Sequence, residues 1–177
     1  MWIEFRLPDA ELFDVASRAF ARDSSKLVRR AGVRWLLVDL PNQLDDFARG
    51  LAVLVHLDRV ILSRARRAGV HVPPLYASGV RYQREPFGRE WWQTIRDNLV
   101  EQEGDCEDLA THRAAELQDS GEDPHARAIA VPTGPRVFHA IVQRGGGSLE
   151  DPSALLGMRP LSPRQRERAG RASLTVR

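Results

Sequence analysis

The chain has 177 residues, 42% of them hydrophobic, which is enough for one domain with a good core and additional elements around it. Its 26 basic and 24 acidic residues nearly cancel, so the overall charge does not indicate a nucleic-acid-binding protein. No stretch approaches the roughly 20 apolar residues of a membrane span, the N-terminus lacks the features of a signal peptide, and a single cysteine rules out an intrachain disulfide. We therefore expect neither a membrane protein nor one secreted by a signal peptide.

The first 71 residues carry strand and helix patterns but no recognisable motif. Apolar residues alternate over residues 3–7 and again over residues 33–40, which predicts two strands. Between them, residues 10–31 have apolar residues at helical spacing, which predicts a helix. We interpret residues 1–71 as an N-terminal elaboration of a core formed by residues 72–158.

A long amphipathic helix is predicted after Pro41. Asp45 and Asp46 suit its positive N-terminal end, and the arginines of residues 64–67, followed by Gly69, suit its C-terminal end. Its predicted buried stripe consists of Leu44, Phe47, Ala48, Leu51, Leu54, Ile61 and Ala65.

A connection containing proline and glycine follows, from Val70 to Arg89. Connections of this length without structure of their own are often functional, so we expect this one to line a cleft, with Tyr76 as a candidate for substrate contact. Trp91 and Trp92 are predicted to open the next helix. Trp92 is the second candidate for the cleft, and core packing is the alternative that we favour for it.

The only cysteine, Cys106, lies at the predicted start of a helix. Asp105 is a candidate N-cap, and Asp108 completes a capping box. The unpaired N–H groups of a helix N-terminus stabilise a thiolate and so lower the pKa of the thiol. We therefore expect Cys106 to be alkylated at pH values well below the ordinary thiol pKa of about 8.5. The negative charges of Asp105, Glu107 and Asp108 would raise the thiol pKa instead, and the positive charge of a histidinium partner would have to outweigh their effect.

Residues 127–151 have the pattern of an antiparallel meander. His139 lies in its second strand and Asp151 at the end of its third, so the two are candidates for a hydrogen-bonded pair. The predicted strands are 127–131, 136–143 and 148–151, and the predicted turns are 132–135 and 145–147.

The register of the last hairpin decides whether His139 and Asp151 meet. A turn centred on Gly145 sets them directly opposite, with Cβ atoms about 4.5–5.5 Å apart. A turn centred on Gly146 sets Asp151 opposite Ile141 and makes it a diagonal neighbour of His139 on the same face. The intermediate register turns Asp151 to the wrong face.

A cysteine at a helix N-terminus, followed by histidine and aspartate on neighbouring antiparallel strands, resembles the transglutaminase-like branch of the papain-like cysteine hydrolases. Over residues 72–158 the chain is most similar to the transglutaminase-like cysteine proteases encoded in tailed-phage gene clusters. The segments that carry the resemblance are Pro73-Pro74-Leu75-Tyr76, Gly104-Asp105-Cys106-Glu107-Asp108-Leu109-Ala110 and Glu150-Asp151-Pro152-Ser153.

This resemblance implies an α+β fold in which a catalytic helix packs on an antiparallel sheet. It implies a triad in which Cys106 is the nucleophile, His139 the base and Asp151 the residue that orients the base, acting through a thioester without cofactor or metal. The backbone N–H of Cys106 would stabilise the oxyanion, with Gln102 as the nearest side-chain candidate. The substrate would be a protein or peptide, with water or an amine as acceptor, in the bacterial host cytoplasm or in the virion.

Other interpretations of these residues stay open. The thiol, His139 and Asp151 could be a core residue, a buried histidine and a turn residue. A structural phage component of the neck or tail, with other phage structural proteins as partners, could keep the fold with little or no catalysis. A metal site is weakly indicated, because the chain has one cysteine and no paired-histidine motif. Its possible ligands are Asp105, Asp108, His139 and Asp151, or the pair His112 and Glu116.

The last segment, residues 159–177, holds six arginines against one glutamate. A basic end of this kind predicts a flexible tail, or less often an arm that docks on a partner or on nucleic acid.

Overall fold

The computed structural model describes residues 2–7, 9–30, 33–41, 43–85 and 90–158, so the predicted basic tail lies outside the described residues. Helices and strands are mixed along these ranges, and the chain is an α+β protein, as predicted. No helix within them is long and apolar enough to cross a membrane. In chain order the elements are β1 (Trp2–Leu7), α1 (Ala10–Ala19), β2 (Ser24–Arg30), β3 (Val33–Asp39), α2 (Leu44–Arg67), a 3₁₀ turn (Leu75–Ala77), β4 (Arg81–Tyr82), β5 (Trp91–Trp92), α3 (Ile95–Glu101), β6 (Glu103–Gly104), α4 (Cys106–Ser120), β7 (Arg127–Gly134), β8 (Val137–Gln143), β9 (Leu149–Glu150) and α5 (Pro152–Leu155).

The first sheet has the strand order β2-β3-β1-β5. Strand β1 is antiparallel to β3 and parallel to β5, with Phe5 beside Leu36 on one side and Trp92 on the other. The alternate apolar residues of β1 are fully buried, because every second side chain of a strand points to the same face. Both strands predicted in this part of the chain are confirmed.

The helix predicted over residues 10–31 is wrong in its second half. Helix α1 ends at Ala19, and the chain turns at Asp23, whose N–H donates to the carbonyl of Phe20 at 3.0 Å. Strand β2 then pairs along its whole length with β3. The backbone groups of residues 24–30 that face β3 are therefore satisfied by that strand. Pairing with another strand is a tertiary contact, which the spacing of apolar residues within one segment does not reveal.

The long helix predicted after Pro41 is α2, which packs against α4 and β7. Its first turn is acidic and its last turn basic, as predicted. Gly50 lies where Trp92 approaches closely, because a Cβ atom at Gly50 would be 2.6 Å from Cζ3 of Trp92. The buried residues of α2 are Phe47, Gly50, Leu51, Leu54, Val55, Leu57 and Asp58, whereas the predicted stripe members Leu44, Ala48, Ile61 and Ala65 are partly buried.

Trp91 and Trp92 form strand β5 instead of opening a helix, because β1 offers them a parallel partner. Helix α3 begins at Ile95, whose N–H donates to Oδ1 of Asp58 on α2 at 2.8 Å. Trp92 is fully buried and packs edge-on against Phe47. Its predicted place in a substrate cleft is wrong, and its role in core packing is confirmed.

Helix α4 packs on the antiparallel sheet β7-β8-β9. Strand β7 continues to Gly134, beyond its predicted end, and the following turn holds Arg136 in the left-handed region with φ of 55°. Ala128, Ala140 and Val142 join a core cluster that also contains residues of β1, α1, α2 and α4. One core therefore crosses the boundary predicted after residue 71.

Candidate active site

Cys106 is the first residue of α4, as predicted. Asp105 is the N-cap and forms a capping box with Asp108, whose Oδ2 accepts the N–H of Asp105 at 3.0 Å. A Cβ atom at Gly104 would lie 3.1 Å from Oδ1 of Asn98. The absence of a side chain at Gly104 therefore lets α3 pack closely under the first turn of α4.

The connection after α2 reaches the cysteine segment. Strands β4 and β6 are parallel, with Tyr82 beside Gly104, and the N–H of Gln83 donates to the carbonyl of Gly104 at 2.9 Å. Burial, and next the nearby Cys106 and Asp105, raise the pKa of the Tyr82 phenol to about 12. Tyr82 is therefore a neutral hydroxyl beside the thiol, and sequence reasoning did not single it out as a site residue.

His139 and Asp151 are brought together, with His139 Nε2 3.1 Å from Asp151 Oδ2. Val142 pairs with Glu150, which is the second of the two predicted registers that keep the pair in reach. Asp151 is also the N-cap of α5, where its Oδ1 accepts the N–H of Ala154 at 3.1 Å. Both carboxylate oxygens are engaged, so the carboxylate is fixed in orientation towards the imidazole.

Cys106 reaches the edge of β8 beside His139. The N–H of Arg144 donates to the carbonyl of Ser148 at 2.8 Å, so even-numbered residues of β8 point their N–H groups to the β9 side. Strand β9 pairs with only the last two residues of β8, and beyond them the N–H of Ala140 is near enough to the Cys106 thiol to lower its pKa. Cys106 thus takes the place at this edge that a longer β9 would occupy.

The imidazole and the thiol approach this edge from different sides. Ala140 packs into the main core with α4, whereas Val131 and Ile141 form a separate cluster on the other face. Because His139 is the partner of Val131 in the sheet, its side chain leaves β8 on that other face.

The thiol of Cys106 donates to Oε2 of Glu107 at 3.2 Å. Within the described residues no hydrogen bond joins Cys106 to His139. The predicted direct contact is therefore not formed in this arrangement, and it requires the thiol to turn away from Glu107.

The expected low pKa of the thiol is wrong. Burial raises the pKa of Cys106 well above its usual value, and the negative charges of Glu107 and Asp105 raise it further. The N–H of Ala140 acts in the opposite direction but does not compensate. Cys106 in this arrangement is a neutral thiol.

Carboxylates crowd the N-terminus of α4. Burial and the charge of Glu107 raise the pKa of Asp105 and Asp108 well above the usual range. The same two causes raise the pKa of Glu90 to about 7. Asp108 also has a structural role, because its Oδ1 accepts the N–H of Gln93 at 2.7 Å.

Asp105, Cys106 and Glu107 offer ligand atoms that lie within 4.8 Å of one another, the only such group in the described ranges. Neither predicted metal-ligand set is brought together there. His112 is buried, which lowers its pKa to about 3, and Glu116 forms a 3.1 Å ion pair with an arginine of its own helix. A cation bound to this group would be coordinated by the thiol sulfur of Cys106. Metal binding here and nucleophilic catalysis by Cys106 are therefore mutually exclusive.

A polar cavity of about 280 Å³ opens beside the N-terminus of α4. Residues 83–85 of the connection line one wall, as expected for a cleft. Trp91, Gln93, Asp105 and Asp108 line other parts of it. The sequence pattern indicated the connection but not Gln93, which is far from Cys106 along the chain.

Two predicted site residues are engaged elsewhere. Gln102 is exposed, ends α3 with φ of 59°, and donates its side-chain N–H to the carbonyl of Leu99 at 2.7 Å, so this amide does not face an oxyanion. Tyr76 donates to Oε1 of Glu150 at 2.5 Å, and the guanidinium of Arg113 lies 5.1 Å from its ring centroid. Tyr76 therefore contacts both β9 and α4, and it does not line the cavity.

Comparison of the chain with protein-family models, with curated proteins and with solved structures finds no match in any of the three. Inference of function therefore rests on the residues of this site.

Proposed function

We propose that this protein is a cysteine hydrolase or acyltransferase of the protease or amidase type that acts through a thioester on Cys106. The observation that carries the proposal is the 3.1 Å hydrogen bond between His139 and Asp151, one residue from Ala140, whose N–H acts to lower the pKa of the Cys106 thiol. Nucleophilic catalysis by cysteine needs an oriented imidazole and a thiol at a helix N-terminus, and the chain has both.

The hydrogen bond to Asp151 assigns the proton positions on His139. With Nε2–H donating to the carboxylate, the lone pair of the neutral ring is on Nδ1. Nδ1 takes the thiol proton, sulfur forms a bond to the substrate carbonyl carbon, and the C=O electron pair moves onto oxygen. The N–H groups at the start of α4 stabilise that oxyanion.

Collapse of this intermediate completes the acyl transfer. His139 gives its proton to the leaving amine, the C–N bond breaks, and a thioester remains on Cys106. Water then yields a carboxylic acid, whereas an amine yields a new amide. The same three residues serve both acceptors.

The neutral thiol sets the type of catalysis. Its raised pKa keeps the proton on sulfur until the attack step, so His139 acts as a general base and no preformed thiolate is required. Before that step the Cys106 side chain must turn from Glu107 towards His139.

The polar cavity is the proposed place for the substrate. Asp105, the neighbour of Cys106 in sequence, lines this cavity, although neither Cys106 nor His139 does. Glu85, Glu103, Asp105 and Asp108 line it together with a single arginine, Arg84. Such a wall favours substrate groups that donate hydrogen bonds.

The second candidate function is a structural component of a phage particle with the same fold and little or no catalysis. The bond from Cys106 to Glu107, in place of one to His139, favours it. This candidate takes its phage assignment from the sequence resemblance alone.

Turnover of peptides by the full chain tests the two candidates. We expect wild-type protein to release the fluorophore from a library of capped peptide aminocoumarin amides, and mass spectrometry to find an acyl group on Cys106. Cys106→Ala should fold normally and release nothing. A wild type without turnover or acyl adduct, across peptides of every charge, would support the structural candidate.

A further inference from the structure

The outer edge of β7, opposite to the edge that carries the Cys106 site, has unpaired backbone groups. Ala128 and Ala130 pair with even-numbered residues of β8, whose N–H groups point to β9, so both alanines turn their own N–H and C=O away from β8. The carbonyl of Ala126 points the same way and accepts from Nε2 of Gln118 at 2.5 Å. Within the described part of the chain, nothing hydrogen-bonds to the four groups of Ala128 and Ala130.

A groove of about 400 Å³ runs between this edge and α2. Residues 127–130 line one wall as consecutive residues, which happens when a groove follows the edge of a strand instead of one of its faces. The opposite wall is the apolar stripe of α2 formed by Leu44, Ala48, Ala52 and Val55. The groove therefore offers backbone hydrogen bonds on one side and an apolar surface on the other.

The charges at the two ends of the groove differ. Phe47, near the start of α2, packs on Phe138 at 5.4 Å between ring centroids, so the start of α2 lies near the end of β7. Arg59 and Arg127 consequently share the other end, while Asp45 lies at the Phe47 end. Two cations at one end fit an acidic group there.

The length of the groove fits a short extended peptide. From Asp45 to Arg59, α2 rises about 21 Å at 1.5 Å per residue. An extended chain covers that distance with about six residues at roughly 3.4 Å each.

We propose that this groove binds an extended segment of a partner protein, which adds as a strand to β7 at Ala128 and Ala130 and places an acidic end at Arg59 and Arg127. Strand addition uses main-chain hydrogen bonds for affinity and alternate side chains for specificity. The chain's own residues 159–177 do not fit this description, because their six arginines match the sign of the cationic end. The site is independent of the chemistry at Cys106.

Binding of a labelled peptide to the full chain tests the proposal by fluorescence anisotropy. The probe is a six-residue capped peptide, Val-Thr-Val-Thr-Glu-Glu, compared with a version that ends in two lysines. We expect saturable binding of the glutamate peptide and at least threefold weaker binding of the lysine peptide, from the loss of an exposed ion pair. Two further versions are N-methylated at the valines or at the threonines. One of these two N-methylated peptides should lose binding and the other should keep it. The reason is that only every second N–H group of an added strand faces β7 and donates to it.

Protein variants locate the site. Arg59→Glu should weaken the glutamate peptide about threefold to tenfold, whereas Arg67→Glu, the same charge change on an exposed residue of α2 that does not line the groove, should not. Ala52→Phe should abolish binding by filling the groove while leaving the melting temperature within a few degrees. The proposal is overturned by absence of binding, by equal effects of the two N-methylated peptides, or by a wild-type dimer that Ala52→Phe dissociates, which would assign the groove to a second copy of the chain.

Discussion

Arg113 on α4 and Glu150 on β9 form a 2.8 Å ion pair, with side chains only 14% and 18% exposed. Glu150 also accepts from Arg144 at 3.0 Å and from Tyr76 at 2.5 Å. Because Glu150 directly precedes Asp151, this cluster ties the position of the aspartate to the helix that begins at Cys106.

Removal of Arg113 should therefore destabilise the fold more than removal of a surface arginine. We expect Arg113→Met to lower the free energy of unfolding by about 2–3 kcal/mol, because a mostly buried carboxylate loses a charged partner. The control Arg66→Met, whose side chain is 61% exposed beside Asp119, should cost less than about 1 kcal/mol. Urea denaturation measures both, and equal losses would show that Glu150 is satisfied without Arg113.

The local features of the site could be predicted from sequence. The pattern of Asp105 followed by Asp108 is a short-range capping signal, and it fixed Cys106 as the first residue of α4. The meander and its two allowed registers also follow from alternation and turn residues. The choice between the registers depends on the turn itself, in which Gly147 donates to the carbonyl of Arg144.

The remaining features depend on distant residues. The parallel pairing of Trp92 with Phe5 joins segments that are far apart in sequence, so a pattern around Trp92 cannot reveal that it forms a strand. The prediction of a low thiol pKa was wrong for the same reason. Its largest cause is burial, which is set by the packing of α4 on β8 and not by the residues beside Cys106.

Gly50 and Trp92 should be strongly coupled. Alanine is favoured over glycine by about 1 kcal/mol inside a helix. At Gly50, however, a Cβ atom would lie 2.6 Å from a ring carbon of the buried Trp92, and overpacking typically costs about 1–3 kcal/mol. We expect Gly50→Ala to be destabilising alone and less so in a Trp92→Phe background, where the ring is smaller. A double-mutant cycle by urea denaturation measures the coupling, and additive losses would rule out the clash.

Glu107 should suppress the reactivity of Cys106. Its carboxylate accepts from the thiol and repels a thiolate, so Glu107→Gln should lower the thiol pKa. At pH 8 we expect iodoacetamide to react faster with Glu107→Gln than with wild type, about tenfold for each unit of lowered pKa. Glu103→Gln, an exposed carboxylate in the neighbouring strand, is the control and should change the rate little. A wild type that already reacts like an ordinary free thiol would contradict the raised pKa of Cys106.

Glu90 should make stability depend on pH in a defined direction. Its pKa rises from 4.5 to about 7 in the folded protein, so the folded state holds the proton more tightly than the unfolded state. The group therefore favours folding most at low pH, and this contribution is lost as pH rises from about 4.5 to about 7. Between those pH values the unfolding free energy of Glu90→Gln should fall less than that of wild type. Identical dependence of the unfolding free energy on pH in both proteins would show that burial does not raise the pKa of Glu90.

Asp151→Asn separates the orientation of His139 from the stability of the fold. The asparagine Oδ1 can still accept the N–H of Ala154, so the cap of α5 is kept and the melting temperature should change by only a few degrees. The other position of the side chain becomes an NH₂ group, which cannot accept from Nε2–H and favours the tautomer with the proton on Nδ1. If the proposed triad operates, kcat should fall by up to about 10⁴-fold, as for the corresponding change in serine proteases, with a smaller change in KM.

The matched control is Asp123→Asn. This variant removes a carboxylate that accepts a hydrogen bond from Arg144 and has no part in the proposed triad, so kcat should stay unchanged. Equal activity of Asp151→Asn and wild type would remove Asp151 from the mechanism.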